Sequence, residues 1–119
     1  METVMLVRTA FVLVLSCLSG GVLLAAEASD DAPVSLVLEN HQFSPSTFTV
    51  PSGKRFRIQL TSHDTSVDEF ESYDMKFEKI IVPGNTITVF AGPMHPGTYT
   101  FFDDYHPDAK GTVTVTGEQ

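Results

Sequence analysis

From residue 34 onward the chain runs in short stretches of alternating apolar and polar positions, with no stretch of helical period. "KRFRIQLTS" (54–62) is the clearest, with Phe56, Ile58 and Leu60 on one face and Arg55, Arg57 and Gln59 on the other, the period of a half-buried strand. "VSLVLEN" (34–40) alternates and stops at Asn40-His41, and "FTV" (48–50) runs into Pro51-Ser52-Gly53. "KFEKIIV" (76–82) ends at Pro83-Gly84 and "TITVFA" (86–91) at Gly92-Pro93, while "GTYTFF" (97–102) and "GTVTVT" (111–116) complete the set. Seven or eight strands at this spacing predict an all-β Greek-key sandwich. Phe43, Phe48, Phe56, Phe70, Phe77, Phe90 and Phe101 supply the expected core of a chain without Trp, each worth roughly 2 kcal/mol on burial.

The first residues have another pattern. Arg8, an apolar run and small residues ending in Ala26-Glu27-Ala28 read as a signal peptide over 1–28, leaving one domain over 29–119. Gly20 and Gly21 interrupt the run, which argues against a retained anchor, and Leu15 fits poorly with lipidation at Cys17. Cys17 is the only cysteine. The domain is therefore expected to have no disulfide, and any metal in it must be held by His, Asp, Glu or Met. A net charge of −8 and a pI of about 4.7 favour cations and exclude nucleic acid as a main partner.

Two segments break the alternation with donors. "SHDTSVDEFESYDM" (62–75) joins two strands and carries Asp64, Asp68, Glu69, Glu71 and Asp74. "YTFFDDYHPDAKGTVTV" (99–115) sets Asp103, His106 and Asp108 between two strand-like halves. The spacing Asp103-x-x-His106 closes two donors on one ion across a tight loop. Taken alone it also fits a solvated turn with Asp104 and Asp108 capping backbone N–H groups.

The segment from Tyr99 to Val115 resembles the cupredoxin fold, in which an aromatic strand ends at a copper-binding Cys, a His follows, and a Gly opens the last strand. Tyr99 and Phe101 take the aromatic positions, His106 the ligand His and Gly111 the opening Gly, but Asp103 stands where Cys is usual. No Met lies between His106 and Gly111, and the first His ligand of blue-copper proteins falls near Asp68 or Glu69. "FSPSTFTVPSGKRFRIQLTS", "EFES", "GPMHPGTYTFF" and "YHPDAKG" together are similar to small periplasmic cupredoxin-like proteins of bacterial ferrous-iron permease systems. That resemblance implies a periplasmic location, an inner-membrane iron permease and a periplasmic iron-binding protein as partners, and copper or iron bound to oxidise Fe(II). A weak homodimer is compatible with this reading.

The ligands expected on this basis are Asp103, His106 and Glu69. Glu71, Met75 and His95 form a second tier, as a further carboxylate, a soft axial donor and a turn imidazole. Phe70 points away from Glu69 and Glu71, so both carboxylates are expected to face the site. Glu78 is read as the partner of Lys79 or of a cross-strand cation, and His41 and His63 as surface residues. Carboxylate in place of thiolate makes the site harder, favouring oxidised ions and excluding electron transfer of the blue-copper type. The rival readings are a copper carrier without turnover and a metal-free adaptor of a membrane transporter.

Overall fold

The structure, a computed structural model, describes residues 32–117. The expected signal peptide and Cys17 lie outside these residues. Nine strands follow in order: β1 (Val34–Glu39), β2 (Gln42–Ser44), β3 (Thr47–Pro51), β4 (Phe56–Ser62), β5 (Asp68–Ser72), β6 (Phe77–Ile81), β7 (Thr86–Ala91), β8 (Gly97–Asp103) and β9 (His106–Thr116). They form two sheets, β2-β1-β4-β7 and β3-β9-β8-β5-β6. The described residues contain no helix, and the predicted sandwich is what forms.

Alternation fixes which side of each strand is buried. In β4, Phe56, Ile58, Leu60 and Ser62 turn inward while Arg57 and Gln59 stay exposed. Leu36 and Leu38 of β1, Val89 and Ala91 of β7, and Val113 and Val115 of β9 face the same interior. Phe101 is the hub: its ring lies 5.0 Å from Phe43 and 5.6 Å from Phe70, both nearly edge-on, and stacks on Phe48 at 6.0 Å. Gly111 is required beside it, because a Cβ there would fall on the Phe101 ring and on the Ser46 carbonyl. Phe48 and Phe77 are partly buried against this core. Phe90 departs from expectation. Its neighbours Val89 and Ala91 take the inward positions of β7, so Phe90 is 51% exposed and lies under the Arg55 guanidinium.

Three elements differ from the sequence reading, and all three bear on function. Residues 68–72, expected as part of a connection, form β5, an interior strand of the second sheet between β8 and β6. The expected loop around His106 is strand from its first residue, since β9 begins there and pairs His106 with Asp103. Residues 42–44 add a short β2 paired with β1 through the two-residue turn Asn40-His41.

Candidate metal centre

The alternation that buries the core also buries two carboxylates. Phe70 faces inward on β5, so Asp68, two residues earlier, does too; Phe101 faces inward on β8, so Asp103 does too. Both aspartates are 0% exposed, at the end of the sandwich where β5 starts and β8 stops. His106 enters across the hairpin from Asp103. Its Nδ1 lies 2.9 Å from Asp68 Oδ1 and 3.0 Å from Asp103 Oδ2, and one ring nitrogen carries one proton for two oxygens.

Asp103 is anchored by its other oxygen. Oδ1 accepts the backbone N–H of Glu69 at 3.0 Å and of Tyr105 at 3.1 Å, which leaves Oδ2 for the centre. Burial pushes its pKa up, but hydrogen bonds from Asp68, the Glu69 N–H, His106 and the Tyr105 N–H outweigh that and hold it below the usual range. Asp68 is the reverse case. Burial, then the adjacent carboxyls of Asp103 and Asp64, push it up to about 7. Burial alone would lower His106, but Asp103 and Asp68 hold it above its ordinary 6.5.

His41 completes the group from the surface, where the sequence placed it, with its side chain 47% exposed. It occupies the second position of the β1–β2 turn, where Asn40 and His41 have φ of 52° and 55°, the type I′ geometry of a two-residue hairpin. A non-glycine residue held there costs on the order of 1–3 kcal/mol and persists only when its surroundings fix it. Here the backbone N–H of His41 donates to Asp64 Oδ1 at 3.2 Å and its ring stacks on His106 at 3.8 Å. Its Nδ1 lies 4.0 Å from Asp68 Oδ1. His41, Asp68, Asp103 and His106 thus each offer a ligand atom within 4.8 Å of the others.

Asp68 Oδ2 and Asp64 Oδ2 are buried without a hydrogen-bond partner. With both side chains ionised, Asp68 Oδ2 has no donor to accept from and Asp64 Oδ2 has only His41 Nδ1, 3.3 Å away; a proton shared with a neighbouring carboxyl, or a cation, is what would satisfy them. Two imidazoles and two buried carboxylates, one oxygen short of a donor, fit a borderline or hard transition-metal ion.

The other candidates fall elsewhere. The structure brings Asp103 and His106 together as the spacing predicts, but does not bring Glu69 to them. Of the two positions "DEF" left open, Asp68 reaches the centre, because Glu69 points to the opposite face of β5. Glu69, Glu71 and Asp104 form a separate group on that outer face, so the expectation that Glu69 and Glu71 face the site is corrected. Met75 is buried in the core. His95 is exposed at the other end of the sandwich, where its carbonyl accepts the Tyr99 hydroxyl at 2.8 Å. His63 lies on the surface 3.9 Å from Glu39, and Lys79 donates to the Thr88 carbonyl. The turn that carries His41 had a signal, since Asn40-His41 sits between an alternating run and "QFS", the pattern of a two-residue hairpin, but that pattern does not say what the turn lies beside.

A two-sheet Greek-key sandwich with an imidazole in the hairpin that leads into its last strand is the architecture of cupredoxin-like domains, here with Asp103 where a Cys is usual. The profile of the Cupredoxin-like domain family matches residues 8–115, and the chain belongs to that family. It is 35% identical over 83 residues to an uncharacterized protein, RP394, of Rickettsia prowazekii (strain Madrid E), covering 69% of this chain and 66% of that one; just under two thirds of that relative is therefore matched. Among solved structures it resembles the purple cupredoxin of Nitrosopumilus maritimus, with a TM-score of 0.56, 19% identity and coverage of 70% of this chain and 99% of that one. It also resembles the metal binding domain of the Streptococcus pneumoniae D39 Cu(I) exporting P-type ATPase CopA, solved with Cu(I) (TM-score 0.63, 15% identity, 71% of this chain and 84% of that one). Identities this low speak to the fold alone.

Proposed function

We propose that this protein is a metal-binding cupredoxin-like domain that holds a copper or iron ion between His41, Asp68, Asp103 and His106. The observation that carries the reading is the unpartnered, fully buried Asp68 Oδ2 in a group with two imidazoles. Copper-binding neighbours of the same fold support it, among them the domain solved with Cu(I). With no thiolate the donors are oxygen and nitrogen, so the bound ion is biased toward Cu(II) or oxidised iron.

The finer role follows from the resemblance of "EFES", "GPMHPGTYTFF" and "YHPDAKG" to periplasmic components of ferrous-iron permease systems. In that role the protein binds iron in the periplasm, with copper or alone, and each Fe(II) gives up one electron to dioxygen, directly or through a bound Cu(II) that cycles by way of Cu(I), before transfer to an inner-membrane permease. A periplasmic iron-binding protein would be the other partner.

Calorimetric titration with Cu(II), and with Fe(II) under argon, tests the site. One ion per chain is expected, with binding abolished in Asp103→Ala and His106→Ala; unchanged affinity and stoichiometry in both would sink it. Oxygen uptake with Fe(II), with and without copper loaded, tests the role. Turnover above background supports oxidation, whereas none under either condition leaves a carrier.

A further inference from the structure

Asp64 stands just outside the four-residue group, yet it is built like a member of it. It lies on the loop between β4 and β5, and its side chain is 3% exposed. The loop is pinned at Asp64 and just before it: His63 N–H donates to the Leu38 carbonyl at 2.7 Å, and Asp64 N–H to the buried Ser62 Oγ at 3.2 Å. Asp64 Oδ1 is occupied by the His41 backbone N–H. Its Oδ2 is buried, stands 3.3 Å from His41 Nδ1, and completes no hydrogen bond. Among the described residues the other oxygen in that condition is Asp68 Oδ2, and the two carboxyls are close enough to repel one another.

We infer that Asp64 is a fifth donor of the centre, and that its charge makes the centre prefer a trivalent over a divalent ion. This rests on the reading of His41, Asp68, Asp103 and His106 as a metal centre. In the metal-free protein a proton shared between the two carboxyls satisfies both orphan oxygens; once Asp68 ligates an ion that proton is gone, and the ion is the partner left for Asp64 Oδ2. The charge count then selects the cation. Asp64, Asp68 and Asp103 contribute three negative charges, and imidazoles bind metal as neutral ligands. A divalent ion leaves one negative charge uncompensated in a buried site, while a trivalent ion leaves none, and uncompensated buried charge is costly. Three oxygens and two nitrogens also exceed the four ligands of a tetrahedral ion and suit a metal of higher coordination number, such as ferric iron.

The test uses the full chain with Ga(III), a redox-inert ferric surrogate, and with Zn(II), each supplied from nitrilotriacetate and read by competition. Wild type is expected to take Ga(III) in preference to Zn(II) once the chelator's own affinities are subtracted. Asp64→Asn keeps the oxygen that accepts the His41 N–H but loses the charge. It should weaken Ga(III) by about 30-fold or more, and Zn(II) by less than about threefold, because for Zn(II) the lost bond is offset by removal of the excess charge. Asp64→Glu, which restores the charge, should recover the Ga(III) preference, and decides the matter with wild type if Asp64→Asn fails to fold. Equal loss of both ions in Asp64→Asn would overturn the inference and reduce Asp64 to a support for His41. Zn(II) binding that His106→Ala removes, without any Ga(III) preference in wild type, would overturn it while leaving the metal centre standing. Failure of wild type to bind either ion would overturn both.

Discussion

Asp68 and Glu69 are neighbours in sequence and lie on opposite faces of one strand. Asp68 turns toward the core, is 0% exposed and meets Asp103 and two imidazoles. Glu69 turns outward to Glu71 and Asp104, with the exposed Tyr105 beside it. Glu71 is 7% exposed there, and the charges that act on it are acidic: burial, and then Asp104, Glu78 and Glu69, push its pKa up. The inner carboxylates cannot turn to water, so each must find a donor or a cation, and Asp68 has one oxygen with neither. The side of the sheet, more than the kind of residue, decides which carboxylates can hold an ion.

The largest contrast between the faces is in packing. Phe101→Ala empties the centre of the aromatic cluster and should cost about 3–5 kcal/mol. Phe90→Ala removes a ring 51% exposed beneath Arg55 and should cost about 1 kcal/mol or less. Urea denaturation at pH 7 compares the two, and equal losses would mean that the inward face of the second sheet has been misassigned.

The next contrast is in binding. Asp68→Asn keeps size and removes charge, and should weaken Cu(II) by about 50-fold or more, as expected when a buried ligand is lost. Glu69→Gln acts from the other side of the sheet, where a unit charge about 10 Å away in a medium approaching water is worth roughly 0.5 kcal/mol, so the change should stay within about threefold. A larger effect from Glu69 than from Asp68 would exchange the roles of the two faces.

Much of this was legible in the chain. Alternation in 54–62, 86–91 and 111–116 gave the sandwich, and the frame from Tyr99 to Gly111 gave the Asp103–His106 pair. β5 was harder, because in "DEFES" a single apolar residue marks the inward face and charges occupy both sides. Whether Asp68 or Glu69 entered the centre was a question of parity, and parity depended on recognising that strand. His41 was lost for a different reason. It sits 65 residues before His106 in sequence, and only the pairing of β1 with β4, which sets its turn beside the Asp64 loop, brings the two imidazoles together.

Acidity gives a smaller but sharper contrast between the metal-free and metal-bound protein. Asp68 and His106 both have raised pKa values in the fold. Each therefore contributes stability that is complete below its unfolded value and is lost as pH rises through the folded one. For Asp68 that window runs from 3.8 to about 7, and for His106 it opens above 6.5. Asp103, whose pKa is lowered, contributes in the opposite sense, below its ordinary 3.8. The metal-free protein should lose about 5 °C or more in Tm between pH 4.5 and 8. A bound ion needs Asp68 ionised and His106 neutral, so the stabilisation by Cu(II) should grow over the same interval. Melting curves with and without Cu(II) at pH 5, 6.5 and 8 test this, and a gap that stays constant would remove these two groups from the centre.

The smallest effect expected belongs to the outer face. Glu71 has a raised pKa, so its ionisation near neutrality works against the fold. Glu71→Gln should therefore raise Tm slightly at pH 7 and low salt. Two dependences separate this cause from a packing gain. The advantage should shrink in 1 M salt, which screens the repulsion from Asp104, Glu78 and Glu69. It should also disappear below pH 4.5, where the wild-type carboxyl is already neutral. Cu(II) affinity should be unchanged throughout, since Glu71 shares a sheet with the centre but not a face. A rise in Tm that survives both salt and acid would mean that the outer carboxylates are not in electrostatic conflict, and the difference between the two faces would then rest on burial alone.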